Sequence, residues 1–208
     1  MNKAKSEKNI RNIRTLLFES GTSVRIINLI TLYRIVTFPL LIFFVLTQHI
    51  NVFKWLLLAS FITDAIDGYL ARKYNATSIL GAKLDSIGDD LTILAAVVGL
   101  FVVQFDFIEK ELTLILILLG LFFIQLVFSL IRYKKISSFH TYLAKTAAVV
   151  TAIFLLSIFF FEEIFYLLFY ASFIITSLEL MEETIIVFLL PKWKTNVKGL
   201  YWILGGKT

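Results

Sequence analysis

Five aspartates stand close together in a chain that is otherwise strongly apolar: Asp64, Asp67, Asp85, Asp89 and Asp90. Asp64 and Asp67 are spaced to share one face of a helix with Gly68 and Ala71, and Asp85 and Asp89 to share a face of the next. A short connection over 72–84 makes these helices antiparallel neighbours and brings the four carboxylates together. Four converging negative charges repel one another unless something neutralises them. Either they share protons or meet solvent, or they bind hard divalent cations, for which oxygen ligands in this number are suited. The residues between them favour the cation. Gly68, Ala71 and Gly81 keep one wall of the site low, so that a bulky ligand can approach the backbone, although small residues also serve close packing of membrane helices. Arg72 supplies a forked donor suited to phosphate oxygens. Metal ligands, small residues and a phosphate-binding cation together describe a pyrophosphate site. Asp90 falls on a different helical face from Asp89 and reads as a solvated carboxylate near a helix start.

The elements that must position these groups are membrane helices. Of the 208 residues 59% are apolar, 21 are phenylalanine, and mean hydropathy is +0.86, which places the chain in the membrane class. A hydrocarbon core about 30 Å thick takes roughly 20 mainly apolar residues to cross as a helix. Six segments qualify, at 27–48, 53–71, 85–104, 112–131, 146–161 and 164–190, the first containing Pro39, which membrane helices tolerate as a kink. The expected fold is an all-α integral membrane protein with six transmembrane helices. A basic juxtamembrane segment (1–26) precedes the six-span domain (27–190), and a cytoplasmic tail (191–208) follows it. Lys3, Lys5, Lys8, Arg11 and Arg14 suit an amphipathic segment on an anionic membrane face, or a solvated tail. With no cysteine in the sequence, disulfides, zinc–thiolate sites and cysteine nucleophiles are excluded.

All Lys and Arg residues except Arg34, Lys54 and Lys110 lie in 1–25, 72–83, 132–145 and the tail from Pro191. The alternate loops, near 49–54, 105–111 and 162–163, carry Asp106, Glu109, Glu111, Glu162 and Glu163 instead. This alternation places both termini and the carboxylate cluster on the cytoplasmic side. The net charge of +5 is thus a matter of topology, and no nucleic-acid partner is expected. Ionisable groups within spans are costly, roughly 2.5–3.5 kcal/mol each by insertion scales, so an intramembrane acidic cluster points to function.

The stretch reads Asp64-x2-Asp67-Gly68-x2-Ala71-Arg72-x8-Gly81-x3-Asp85-x3-Asp89 and is similar, at every specified position, to the signature of the CDP-alcohol phosphotransferases. Upstream, Asn28-x2-Thr31-x2-Arg34 resembles that family's Pro-Asn-x-x-Thr-x-x-Arg element, with Ile27 in place of the proline. The resemblance implies transfer of a phosphatidyl group from CDP-diacylglycerol to a small alcohol with release of CMP. It implies two Mg2+ ions, with Mn2+ as a substitute: Asp64, Asp67 and Asp85 hold one, and Asp64, Asp85 and Asp89 contribute to the other. Asp89 matches the general base, and Asn28, Thr31, Gly68, Ala71, Arg72, Ser78 and Gly81 match CDP-lipid-binding positions.

For the acceptor, Arg34 stands where relatives that use phosphorylated acceptors often carry arginine. Lys135 and Lys145, in the basic loop 132–145, are further candidates, with ordinary positive-inside charge as the alternative. Glycerol 3-phosphate is the first choice, as in a phosphatidylglycerophosphate synthase, followed by an inositol phosphate or other polyol phosphate, then serine. Glu179, Glu182 and Glu183 share a face of the last span, where a polyol or a basic residue such as Lys145 would meet them. The expected partners are the CDP-lipid, the acceptor and membrane lipids, and homodimer formation stays open. A reading of another class is an ion or proton transporter with an acidic pathway. The Gly-Ala-Arg-Gly frame between the aspartates weighs against it, because ion conduction does not require one and nucleotide binding does.

Overall fold

The computed structural model describes residues 22–73, 79–134, 139, 141–161, 163–192 and 197–205, with side chains at 32–66 and from 87 onward. All regular structure among them is helical: α1 (Thr22–Leu46), α2 (Ile50–Lys73), α3 (Ile79–Val103), α4 (Phe105–Lys110), α5 (Leu112–Tyr133), α6 (Tyr142–Phe161), α7 (Tyr166–Leu189) and α8 (Leu200–Leu204). The long helices fall where the six apolar segments are expected. The basic segment before residue 22 lies outside the described residues.

Helix boundaries differ from the expectation where apolarity stops but helix-forming residues continue. α3 begins at Ile79 rather than 85, so Gly81 belongs to the helix together with Asp85. A short helix, α4, occupies a stretch expected as loop, because Phe107 and Ile108 bury there. α6 likewise starts at Tyr142, before its apolar run, where the Thr141 hydroxyl accepts from the Ala144 amide (3.0 Å) as a helix cap.

The chain forms two compact units, Met1–Val103 and Gln104–Thr208. In the first, α1 packs along both α2 and α3, which touch each other over a much shorter stretch. Leu41 and Val45 of α1, Phe53 and Leu57 of α2 and Ala95 and Ala96 of α3 are buried. The paired alanines allow the close backbone approach on which helix association in lipid depends.

In the second unit α7 packs against α5, α6 and α8. α5 has an inverted pattern: its buried residues are Gln125 and Ser129, while Leu116, Phe122, Phe123, Val127 and Ile131 are exposed. A helix in water buries its apolar stripe. This one turns apolar side chains outward and polar ones inward, the arrangement that lipid selects. Gln125 is satisfied by Glu183 of α7, its Nε2 donating to Oε2 at 2.7 Å, and Thr151 of α6 bonds Ser172 of α7 (Oγ1 to Oγ, 2.8 Å). Such hydrogen bonds join helices where no hydrophobic driving force operates. α5 and α6 are each long and apolar enough to cross a membrane.

The end of α7 is closed by other elements. The Tyr133 hydroxyl donates to the carbonyls of Leu190 (2.8 Å) and Val187 (3.1 Å), and Arg132 Nε donates to Leu190 (3.2 Å). These carbonyls have no partner within the helix. Residues from Val197 onward pack back on this end, where Phe139, Ile186, Val187, Leu190 and Val197 form a buried cluster.

Candidate active site

Each of the three helices of the first unit delivers one charged group to the same place. Arg34 lies on α1, Asp64 on α2 and Asp89 on α3. Arg34 is almost fully buried, at 1% exposure, whereas the two aspartate side chains are 42% exposed. One guanidinium nitrogen, Nη1, donates to Asp64 Oδ1 at 2.5 Å and also to Asp89 Oδ1. The guanidinium thus joins carboxylates from two different helices. A buried arginine without such partners would carry the large desolvation cost of a lone charge.

The backbone leaves room for this. A Cβ placed on Gly88 would meet the Arg34 guanidinium at 3.3 Å, closer than most real contacts, so a glycine there lets the flat head lie against α3. The neighbouring hydroxyls are turned inward along their own helices: Thr92 Oγ1 donates to the Gly88 carbonyl (2.8 Å), Ser60 Oγ to Leu56 (3.0 Å) and Thr63 Oγ1 to Ala59 (2.8 Å).

The other motif residues take their places along the same helices. Asp67, Gly68, Ala71 and Arg72 follow Asp64 in the last turns of α2, and Gly81 and Asp85 precede Asp89 on α3. Asn28 and Thr31 lie on α1 before Arg34. The side chains of all eight, and the whole of Ser78 and Lys135, lie outside the described residues. Asp90 is exposed, as its different helical face suggests.

In the second unit, Lys145 is exposed on α6 with its ammonium over the Tyr142 ring, 5.4 Å from the centroid. Two glutamates of α7 have hydrogen-bond partners inside the unit. Glu183 accepts from Gln125, and Glu182 Oε1 accepts from the Leu200 backbone amide at 2.9 Å. The sequence gives no sign of these contacts, because both partners are far from the glutamates along the chain.

Among the described residues no group of three or more His, Asp or Glu could hold a metal ion. The described pair nevertheless fits a cation: Oδ1 of Asp64 and Oδ1 of Asp89 already converge on one positive group. All-oxygen donors at such a place suit a hard divalent ion. The role of Arg34 in joining the two aspartates is the feature that motif reading misses. Its signal is in the sequence, since an arginine within an apolar helix is paired with an acid or a backbone carbonyl, or faces water.

The family model for CDP-alcohol phosphatidyltransferase matches residues 25–180. The chain is 47% identical over 62 residues to CDP-diacylglycerol–inositol 3-phosphatidyltransferase of Saccharomyces cerevisiae, covering 30% of this chain and 28% of that protein. It is 36% identical over 76 residues to CDP-diacylglycerol–glycerol-3-phosphate 3-phosphatidyltransferase of Sodalis glossinidius (33% and 40% covered). With the enzyme of the same name from Rickettsia bellii the identity is 37% over 79 residues (35% and 42% covered). The chain therefore spans well under half the length of these relatives. No solved structure matched it. The family match covers all three helices that carry Arg34, Asp64 and Asp89 and most of the second unit, and the chain belongs to the CDP-alcohol phosphatidyltransferase family of membrane enzymes.

Proposed function

We propose that the protein transfers a phosphatidyl group from CDP-diacylglycerol to glycerol 3-phosphate, releasing CMP. The observation that carries this reading is the meeting of Asp64 and Asp89, from separate helices, at a single cation within the family's signature. The acceptor hydroxyl oxygen attacks the phosphorus that bears diacylglycerol. The bond from that phosphorus to the oxygen bridging to CMP breaks, CMP departs with the electron pair, and the hydroxyl proton passes to Asp89. General-base help of this kind is worth about 10²–10⁴ in rate. Asp64, Asp67 and Asp85 would hold one divalent ion, and Asp64, Asp85 and Asp89 would contribute to a second. Bound there, Mg2+ supplies neutralisation of the pyrophosphate and of the departing CMP. Arg72, Gly68, Ala71, Gly81, Ser78, Asn28 and Thr31 would seat the CDP-lipid, and Lys135 and Lys145 remain acceptor contacts on the strength of sequence alone.

We also propose six spans with both termini and the aspartates on the cytoplasmic side, supported by the charge alternation of the loops. An inositol-type acceptor is the second reading, favoured by the identity with the yeast relative, whose name specifies inositol. The test is CMP release and product identity with CDP-diacylglycerol and a panel of glycerol 3-phosphate, inositol, an inositol phosphate and serine. Phosphatidylglycerophosphate as the main product supports the first reading, and an inositol phospholipid supports the second.

A further inference from the structure

Arg34 meets two of the carboxylates of the divalent-ion site proposed above. Arg34 Nη1 donates to Oδ1 of both Asp64 and Asp89, the same class of oxygen that a divalent ion would take. The guanidinium is the more committed partner: Arg34 is 1% exposed, while the aspartates keep 42% of their side-chain surface open. Space for its head is provided by Gly88, where a Cβ would lie 3.3 Å from the guanidinium Cζ, Nε and Nη2. A guanidinium and a divalent ion on the same two carboxylate oxygens repel each other in a partly desolvated place, so each weakens the hold of the other.

We propose that Arg34 is a built-in counter-cation for the metal-free site. It holds Asp64 and Asp89 together against their mutual repulsion, and it must withdraw from at least one of them for a divalent ion to take that oxygen. The consequence is a site that stays assembled when empty and binds its ion more weakly, and more reversibly, than the carboxylates alone would. This proposal rests on the divalent-ion reading, and the sign of its effect sets it apart from a structural or ion-assisting role. A residue that merely supports the site loses metal affinity when replaced. A competitor gains it.

The experiment is a titration of purified full-length protein in detergent with Mn2+ alone, free ion being read by electron paramagnetic resonance, together with thermal unfolding in chelator. Arg34→Gln keeps a planar hydrogen-bonding head and removes the charge. It is expected to bind Mn2+ at least tenfold more tightly than the wild type. Its metal-free form should unfold at a lower temperature, with Mn2+ recovering most of the difference. Arg34→Lys keeps the charge but replaces the planar guanidinium, whose Nη1 meets both carboxylates, with a shorter-reaching ammonium. It should bind Mn2+ a few-fold more tightly than the wild type, and it decides the matter if Arg34→Gln does not fold. Mn2+ affinity equal to or weaker than wild type overturns the proposal and leaves the divalent-ion reading standing. Absence of Mn2+ binding in the wild type and both variants overturns that reading and this proposal with it.

Discussion

Asp89 meets Arg34 across the helix interface and is the proposed base for the acceptor hydroxyl, and a conservative substitution separates chemistry from binding. Asp89→Asn preserves size while removing charge and basicity. Single-turnover phosphatidyl transfer is expected to fall by about 10²–10⁴, with CDP-diacylglycerol affinity held within a few-fold because Asp64, Asp67, Asp85 and Arg72 remain. Near-normal turnover would pass the proton to another group. The motif spacing puts Asp64 and Asp89 on helix faces that can meet, since helical periodicity turns spacing into direction, and in the structure both meet Arg34. The sequence offers Arg34 as the end of the Asn28-x2-Thr31-x2-Arg34 element and as an acceptor contact, and neither reading points to its two carboxylate partners on α2 and α3. Contacts between helices depend on how α1 packs against the others, and periodicity within one helix carries no information about that.

Among the elements, the end of α7 shows how a long apolar helix is finished. Tyr133 and Arg132 take its last carbonyls, and the returning tail presents the Leu200 amide to Glu182. The tail turns at Gly199, whose φ of +151° L side chains rarely adopt, and a Cβ there would lie 3.1 Å from Glu182 Oε1. Gly199→Ala is therefore expected to destabilise the protein by about 1–3 kcal/mol, read as a lower midpoint of thermal unfolding in detergent. An unchanged midpoint would mean that this turn is not held as described. Helix existence was legible from apolar runs of the right length, but helix starts were not. Apolarity marks where lipid begins, whereas α3 continues back to Ile79 through Gly81 and Lys83. The docking of the tail was invisible as well, because Phe139, Val197 and Leu200 meet α7 only once the chain has folded back.

At the scale of the whole molecule, the proposed topology and activity must agree, since a soluble acceptor would reach the site, and CMP would leave it, from one side. The sequence contains no cysteine, so single cysteines can be introduced and labelled without background. A membrane-impermeant maleimide applied to intact cells should label Glu109→Cys and Glu163→Cys and spare Lys134→Cys. Labelling of Lys134→Cys from outside would overturn the orientation. The central claim, that the aspartate site releases CMP from a CDP-lipid with the help of a divalent ion, is tested most directly by CMP release from purified protein. The assay supplies CDP-diacylglycerol and glycerol 3-phosphate, first in chelator and then after Mg2+ is restored. Release should be absent in chelator, return with Mg2+, match the phospholipid formed mole for mole, and require the acceptor. Full release in chelator, or none with any acceptor of the panel in saturating Mg2+, would contradict the account.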